Sequence, residues 1–126
     1  MQSGQCLCGD VRFEIDAEIT QTSFCHCGQC RRQSGNYWAS GQVLEQDLRI
    51  LKDMGLTWFR SSDFAQRGFC KTCGSFLFWK ADAENSRAVS LASLDAPHNV
   101  KATRHIFVDE KGSYYEIADD LPQFES

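Results

Sequence analysis

Seven cysteines stand in three tight groups, Cys6-Leu7-Cys8, Cys25-His26-Cys27-Gly28-Gln29-Cys30 and Cys70-Lys71-Thr72-Cys73, and thiols at that spacing are metal ligands first. Cys-x-Cys and Cys-x-x-Cys pairs put two sulfurs on one side of a tight turn, which the packing of an apolar core does not require. Two pairs and a triplet divide into a closed four-thiolate site and a three-thiolate site. Zinc takes four protein ligands where it is structural, and three plus an exchangeable one where it does chemistry, so the odd cysteine carries the functional clue.

Disulfides are the first alternative, and they need an oxidising compartment. The start Met1-Gln2-Ser3-Gly4-Gln5 has neither the basic nor the apolar stretch of an export signal, so the expected location is cytoplasmic, where thiols stay free for metal or for a redox dithiol. Spacing leaves the division between sites open. Cys27 and Cys30 with Cys70 and Cys73 would make a zinc ribbon, with Cys6 and Cys8 left over; Cys6, Cys8, Cys70 and Cys73 would instead close one site and leave Cys25, Cys27 and Cys30 for a second. The second division leaves no cysteine idle.

The elements that must position these residues read as short strands. Val11–Ile15 alternates apolar and polar residues, Leu56–Arg60 and Val89–Leu94 do so less cleanly, and Phe76–Trp79 is a short apolar run suited to a central strand. His105–Val108 reads as a further strand, then a turn over Asp109–Gly112 and another strand over Tyr114–Ile117. One helix is expected, around Gly28 to Ser34, and Asp119–Phe124 should fold back along the body. With 126 residues, no repeat and no linker, the chain 1–126 is expected to form one mainly β domain, small enough to gain from a metal staple. No apolar stretch reaches membrane-spanning length. The formal charge of −4 becomes about −7 with seven thiolates and two zinc ions counted, which speaks against a nucleic-acid partner.

The runs Gly4–Val11, Cys25–Arg32 and Phe69–Trp79, with Ser93–Pro97 and His105–Val108 behind them, resemble the glutathione-dependent formaldehyde-activating enzyme family, whose domain is shared with centromere protein V. All seven cysteines fall in register with it. The resemblance implies a β-tent fold of short antiparallel strands stapled by zinc. It implies a structural zinc at Cys6, Cys8, Cys70 and Cys73, a second at Cys25, Cys27 and Cys30, and carbon–sulfur lyase chemistry that joins glutathione to formaldehyde. Tyr114 stands where relatives often carry tryptophan.

Around the second cluster, Arg31 and Arg32 are candidates for the carboxylates of glutathione, because guanidinium forks match carboxylates. Tyr37 and Trp38 are candidate walls of a pocket, with a core role as the plainer expectation for one of them. His26 lies between two ligand cysteines and is expected to point away from the metal; His98 is expected in an exposed loop, His105 as a structural histidine, and Asp95 in a turn. Two functions follow. One is a lyase-type enzyme with Cys25, Cys27 and Cys30 as its catalytic centre, two zinc ions, and a small thiol and aldehyde as partners. The other is a non-catalytic zinc module binding glutathione or a protein, and a fourth protein ligand on the second zinc or a large exposed apolar face would favour it.

Overall fold

A computed structural model describes residues 1–126. Its elements run β1 (Gln2–Gln5), β2 (Arg12–Ile15), β3 (Thr20–Cys25), α1 (Gly28–Ser34), β4 (Trp38–Leu44), β5 (Leu48–Lys52), β6 (Leu56–Arg60), β7 (Ala65–Cys70), β8 (Phe76–Ala81), β9 (Ser86–Ser90) and β10 (His105–Ile106). The expected β-tent class is realised as two sheets. The smaller has strand order β1-β2-β5 and the larger β10-β3-β4-β9-β8-β7-β6. Neighbours are antiparallel except for β10, which lies parallel to β3 with His105 opposite Phe24.

Side-chain alternation explains how the sheets meet. In β2, Phe13 and Ile15 turn inward while Arg12 stays exposed, and Phe13 packs edge-on against Phe78 of β8 at 5.4 Å between ring centres. The apolar run in β8 buries Leu77 and Phe78 in succession, so both faces of that strand are covered, and it lies inside the sheet between β7 and β9. These residues join Val11, Val43 and Val89 in the main core, which also contains Cys6 and Cys70. A second, smaller cluster holds Cys25, Cys30, Trp38 and Ala88. Each cysteine group is thus set into its own part of the core.

The one helix forms where expected, from a cysteine N-cap at Cys27 to Gly35, whose φ of 85° is left-handed and whose N–H closes the last turn on the Arg31 carbonyl. Three strand expectations need correction. The strand ends at Ser90, because Leu91–Ser93 turn as a short 3-10 helix closed by the Ser93 hydroxyl on the Ser90 carbonyl at 2.7 Å. The expected strand at His105–Val108 stops after Ile106, since Phe107 has a φ of 56° that no strand accommodates. Tyr114–Ile117 is not a strand, as no neighbouring strand pairs with it. The tail does fold back: Gln123 bridges His105, and the Phe124 N–H donates to the His105 carbonyl at 2.9 Å. No helix is long and apolar enough to cross a membrane.

Candidate metal centres

Cys6 and Cys8 flank the turn between β1 and β2, and Cys70 and Cys73 flank the turn between β7 and β8. The two turns are built alike. Gly9 (φ 85°) donates its N–H to the Cys6 carbonyl at 3.3 Å, and Gly74 (φ 83°) donates to the Cys70 carbonyl at 2.7 Å. A bond from the Leu7 N–H to the Ser75 hydroxyl at 3.0 Å ties one turn to the other. All four sulfurs lie within 4.8 Å of one another, with Cys6–Cys8 and Cys8–Cys70 both at 3.7 Å. Four thiolates at a zinc–sulfur distance of about 2.3 Å stand about 3.8 Å apart, so this set fits a closed tetrahedral zinc. The Val11 N–H donates to Cys6 Sγ at 3.3 Å, a bond suited to a thiolate. Backbone closes in from behind: a Cβ at Gly55 would stand 2.6 Å from Cys70 Sγ. The division that leaves no cysteine idle is the one the fold makes.

Cys25 ends β3, Cys27 caps α1 and Cys30 lies in the first turn of that helix, their sulfurs again within 4.8 Å of one another. No fourth histidine, cysteine or acid joins them. His26 is fully buried and both its ring nitrogens are engaged, Nδ1 with the Tyr115 hydroxyl and Nε2 with His105 Nδ1 at 2.8 Å, so it is not a ligand. Three sulfurs with space for a further donor suit a zinc with an exchangeable position.

The charge around the triplet is set mainly by Arg67, which only 5% exposure leaves to solvent. Its Nη1 donates to Cys30 Sγ at 3.5 Å, its Nη2 to Cys27 Sγ at 4.0 Å and its Nε to Gln29 at 3.0 Å, and its guanidinium lies 5.3 Å over the Phe76 ring. Among the three thiols, hydrogen bonds from Cys25 and Cys30 hold the Cys27 thiol far below its ordinary range, with the Cys30 N–H and the Arg67 charge adding. The same bonds, seen from the donor, push the Cys25 thiol up, helped by burial. Arg67 was not legible in the sequence. It sits in a strand whose alternation, Ala65, Arg67 and Phe69 on one face, does not tell a buried arginine from an exposed one.

A second missed feature is the chain beyond His26. His105, itself buried, donates from Nε2 to the Asp119 carboxylate at 3.0 Å, so its Nδ1 is free to accept from His26 Nε2, whose Nδ1 in turn accepts from Tyr115. Tyr115 and Asp119 both come from the returning tail.

The other expected residues separate. Arg32 is exposed and lines a groove of about 550 Å³ with Gln29, Gln33, Phe59, Ser61 and Arg67, whereas Arg31 lies beside Gly28 and outside that groove. Trp38 is buried in the second core cluster, stacked on Phe76 at 4.1 Å, and Tyr37 packs against His26. His98 is exposed. Asp95 ties its turn to β1 through its N–H on the Ser3 carbonyl at 2.9 Å and its carboxylate on the Ser3 hydroxyl at 2.7 Å. A smaller cavity of about 160 Å³ is walled by Cys25, Cys30, Trp38, Arg67 and Arg104. The largest one, about 720 Å³, touches no cysteine and carries Asp63, Asp82 and Glu84.

Residues 1–110 match the sequence profile of the glutathione-dependent formaldehyde-activating enzyme family. The chain is 25% identical to an uncharacterized lyase of Schizosaccharomyces pombe, across 96% of this chain and 88% of that protein. It superimposes on the crystal structure of a Rhodobacter sphaeroides protein with a TM-score of 0.64 at 25% identity, covering 76% of this chain and 90% of that one. The chain belongs to the glutathione-dependent formaldehyde-activating enzyme family.

Proposed function

We propose that this chain is a zinc-dependent carbon–sulfur lyase that makes and breaks the adduct of a glutathione-like thiol with a small aldehyde, working in the cytoplasm as one unit of residues 1–126. Membership of the family and the lyase relative support the reaction class. The observation that carries it to particular residues is the triplet Cys25, Cys27 and Cys30 without a fourth protein ligand, open to a cavity and backed by Arg67. A saturated second site would have favoured the binding-module reading instead.

The four-thiolate site has the folding role, joining the β1–β2 turn to the β7–β8 turn. Zinc bound at the triplet supplies a soft cation that keeps an added thiol in its thiolate form at neutral pH. The protein's own residues do the rest. Arg67 offsets the negative charge of the sulfurs, and its bonds to Gln29 and Gln33 fix the guanidinium against α1. The groove at Arg32, of a volume usual for ligand sites, takes the peptide body of the thiol, with Arg32 on a carboxylate. Burial of Cys25 and Cys30 keeps bulk water off the reacting sulfur.

Thiols add to formaldehyde unaided, so the test is rate. Exchange spectroscopy on carbon-13 formaldehyde and glutathione should show faster interconversion with the wild-type protein. Cys30→Ser should return it to the uncatalysed rate while keeping the fold and one of two zinc ions. Wild-type protein holding two zinc ions and giving no acceleration would overturn the proposal.

A further inference from the structure

The 160 Å³ cavity beside the triplet has a composition of its own. Two arginines line it, Arg67 and Arg104, and no aspartate or glutamate does. Arg67 is engaged with Cys30, Gln29 and Gln33. Arg104 is not: its side chain makes no ion pair and no hydrogen bond, and its Nε is buried without a partner. Trp38 Nε1 is likewise buried and unpartnered, in a residue only 7% exposed. Buried donors are satisfied almost everywhere in folded proteins, and of the four here without a protein partner two belong to residues lining this one acid-free cavity, although Trp38 also borders the larger cavity next to it. Counted with a zinc ion, three thiolates and two guanidiniums leave this region with one net positive charge, which an anion would balance.

Size narrows the anion. The volume of about 160 Å³ is roughly five times the share of one water molecule in the liquid, so it holds about five or six non-hydrogen atoms. A tripeptide does not fit and formaldehyde leaves most of the space empty. We propose that the cavity binds a compact α-oxo acid of two or three carbons, its carboxylate on Arg104 and Trp38 Nε1 and its carbonyl carbon toward Cys25 and Cys30. This rests on the proposed thiol chemistry and names the electrophile for it. In the addition, the thiolate sulfur forms a bond to the carbonyl carbon and the carbonyl π pair moves to oxygen, which takes a proton from water. The product is a hemithioacetal carrying a carboxylate, with no oxidant or reductant consumed. Arg67 is the only residue that lines both this cavity and the Arg32 groove, so it stands where the thiol and the electrophile would meet.

Nitrogen-15 spectra of the zinc-loaded protein test this through the indole N–H of Trp38, assigned by its loss in Trp38→Phe. Glyoxylate should move that signal saturably, and methylglyoxal, equal in size but uncharged, should bind about tenfold or more weakly, as should glyoxylate to Arg104→Gln. Arg104→Lys, which keeps the charge, should retain part of the affinity and serves if Arg104→Gln does not fold. Glutathione exchange should be accelerated more with glyoxylate than with formaldehyde. An unmoved indole, or equal binding of glyoxylate and methylglyoxal, overturns the inference; so does acceleration that favours formaldehyde. The two proposals fail separately. A Trp38 shift that persists in Cys27→Ser, without any thiol exchange in the wild type, would retain the anion cavity and remove the lyase reading; formaldehyde exchange without the shift would do the reverse.

Discussion

Arg67 donates through Nη1 to the sulfur of Cys30 across 3.5 Å, from a strand thirty-seven residues further along the chain. That bond gives the three-thiolate cluster a buried counter-charge. It sits outside the ligand set, where hydrogen-bonding partners commonly tune a metal site.

Replacing this guanidinium should therefore weaken the second metal without touching the first. Arg67→Met is expected to lower zinc affinity at Cys25, Cys27 and Cys30 by about ten- to a hundredfold, read by competition with a chelator. Arg67→Lys should recover only part of this, since an ammonium cannot bridge Cys30 and Gln29 as the fork does.

The two cysteine groups should fail in different ways. Cys73→Ser opens the site that joins the β1–β2 and β7–β8 turns, and is expected to abolish cooperative unfolding or give insoluble protein. Cys30→Ser should give folded protein with one zinc per chain. Metal analysis alongside urea unfolding separates the cases, and a stable Cys73→Ser protein lacking one zinc would refute the structural assignment.

The Asp119–His105 contact at 3.0 Å anchors the returning tail and sets the direction of the hydrogen-bond chain to Tyr115. Asp119→Ala should cost about 1–2 kcal/mol, because it leaves the buried His105 Nε2–H without its acceptor. The Phe124 amide, bonded to the His105 carbonyl at 2.9 Å, should exchange with deuterium faster in the variant than in the wild type. Unchanged exchange there would mean the tail is held by its backbone bonds alone.

Burial, reinforced by the charges of His105 and Lys111, holds the His26 imidazole at about 4, below its ordinary 6.5. Between those values the unfolded chain takes up a proton that the folded chain refuses. The contribution is complete above about pH 6.5 and is lost as the pH falls toward 4, so stability should decline through that window. Urea midpoints at pH 7, 6 and 5, with zinc content measured in each sample, check the sign; a rise on acidification would show that His26 folds in its charged form.

Much of the chemistry was legible because it is local. The spacing within each cysteine pair dictates a tight turn with two sulfurs on one side, and Cys27 to Gly35 carries its own helix start and stop. Alternation at Phe13 and Ile15 and the run at Leu77 and Phe78 announced which residues build the core. The expected strand at Tyr114–Ile117 failed for the opposite reason: a strand exists only if a neighbour offers a free edge, and the edge at β10 is taken by a bridge to Gln123.

What the sequence by itself determined is the inventory: seven thiols in three turn-forming groups, an odd number that two closed four-thiolate sites cannot use up. The tertiary structure decided which cysteine groups stand together, by bringing the β1–β2 and β7–β8 turns to one another and closing Gly55 behind Cys70. It also chose the surroundings of the three-cysteine cluster, since Arg67, Arg104 and Trp38 reach the cavity beside it from separate parts of the chain. Such meetings depend on non-local pairing, and no spacing along the chain encodes them.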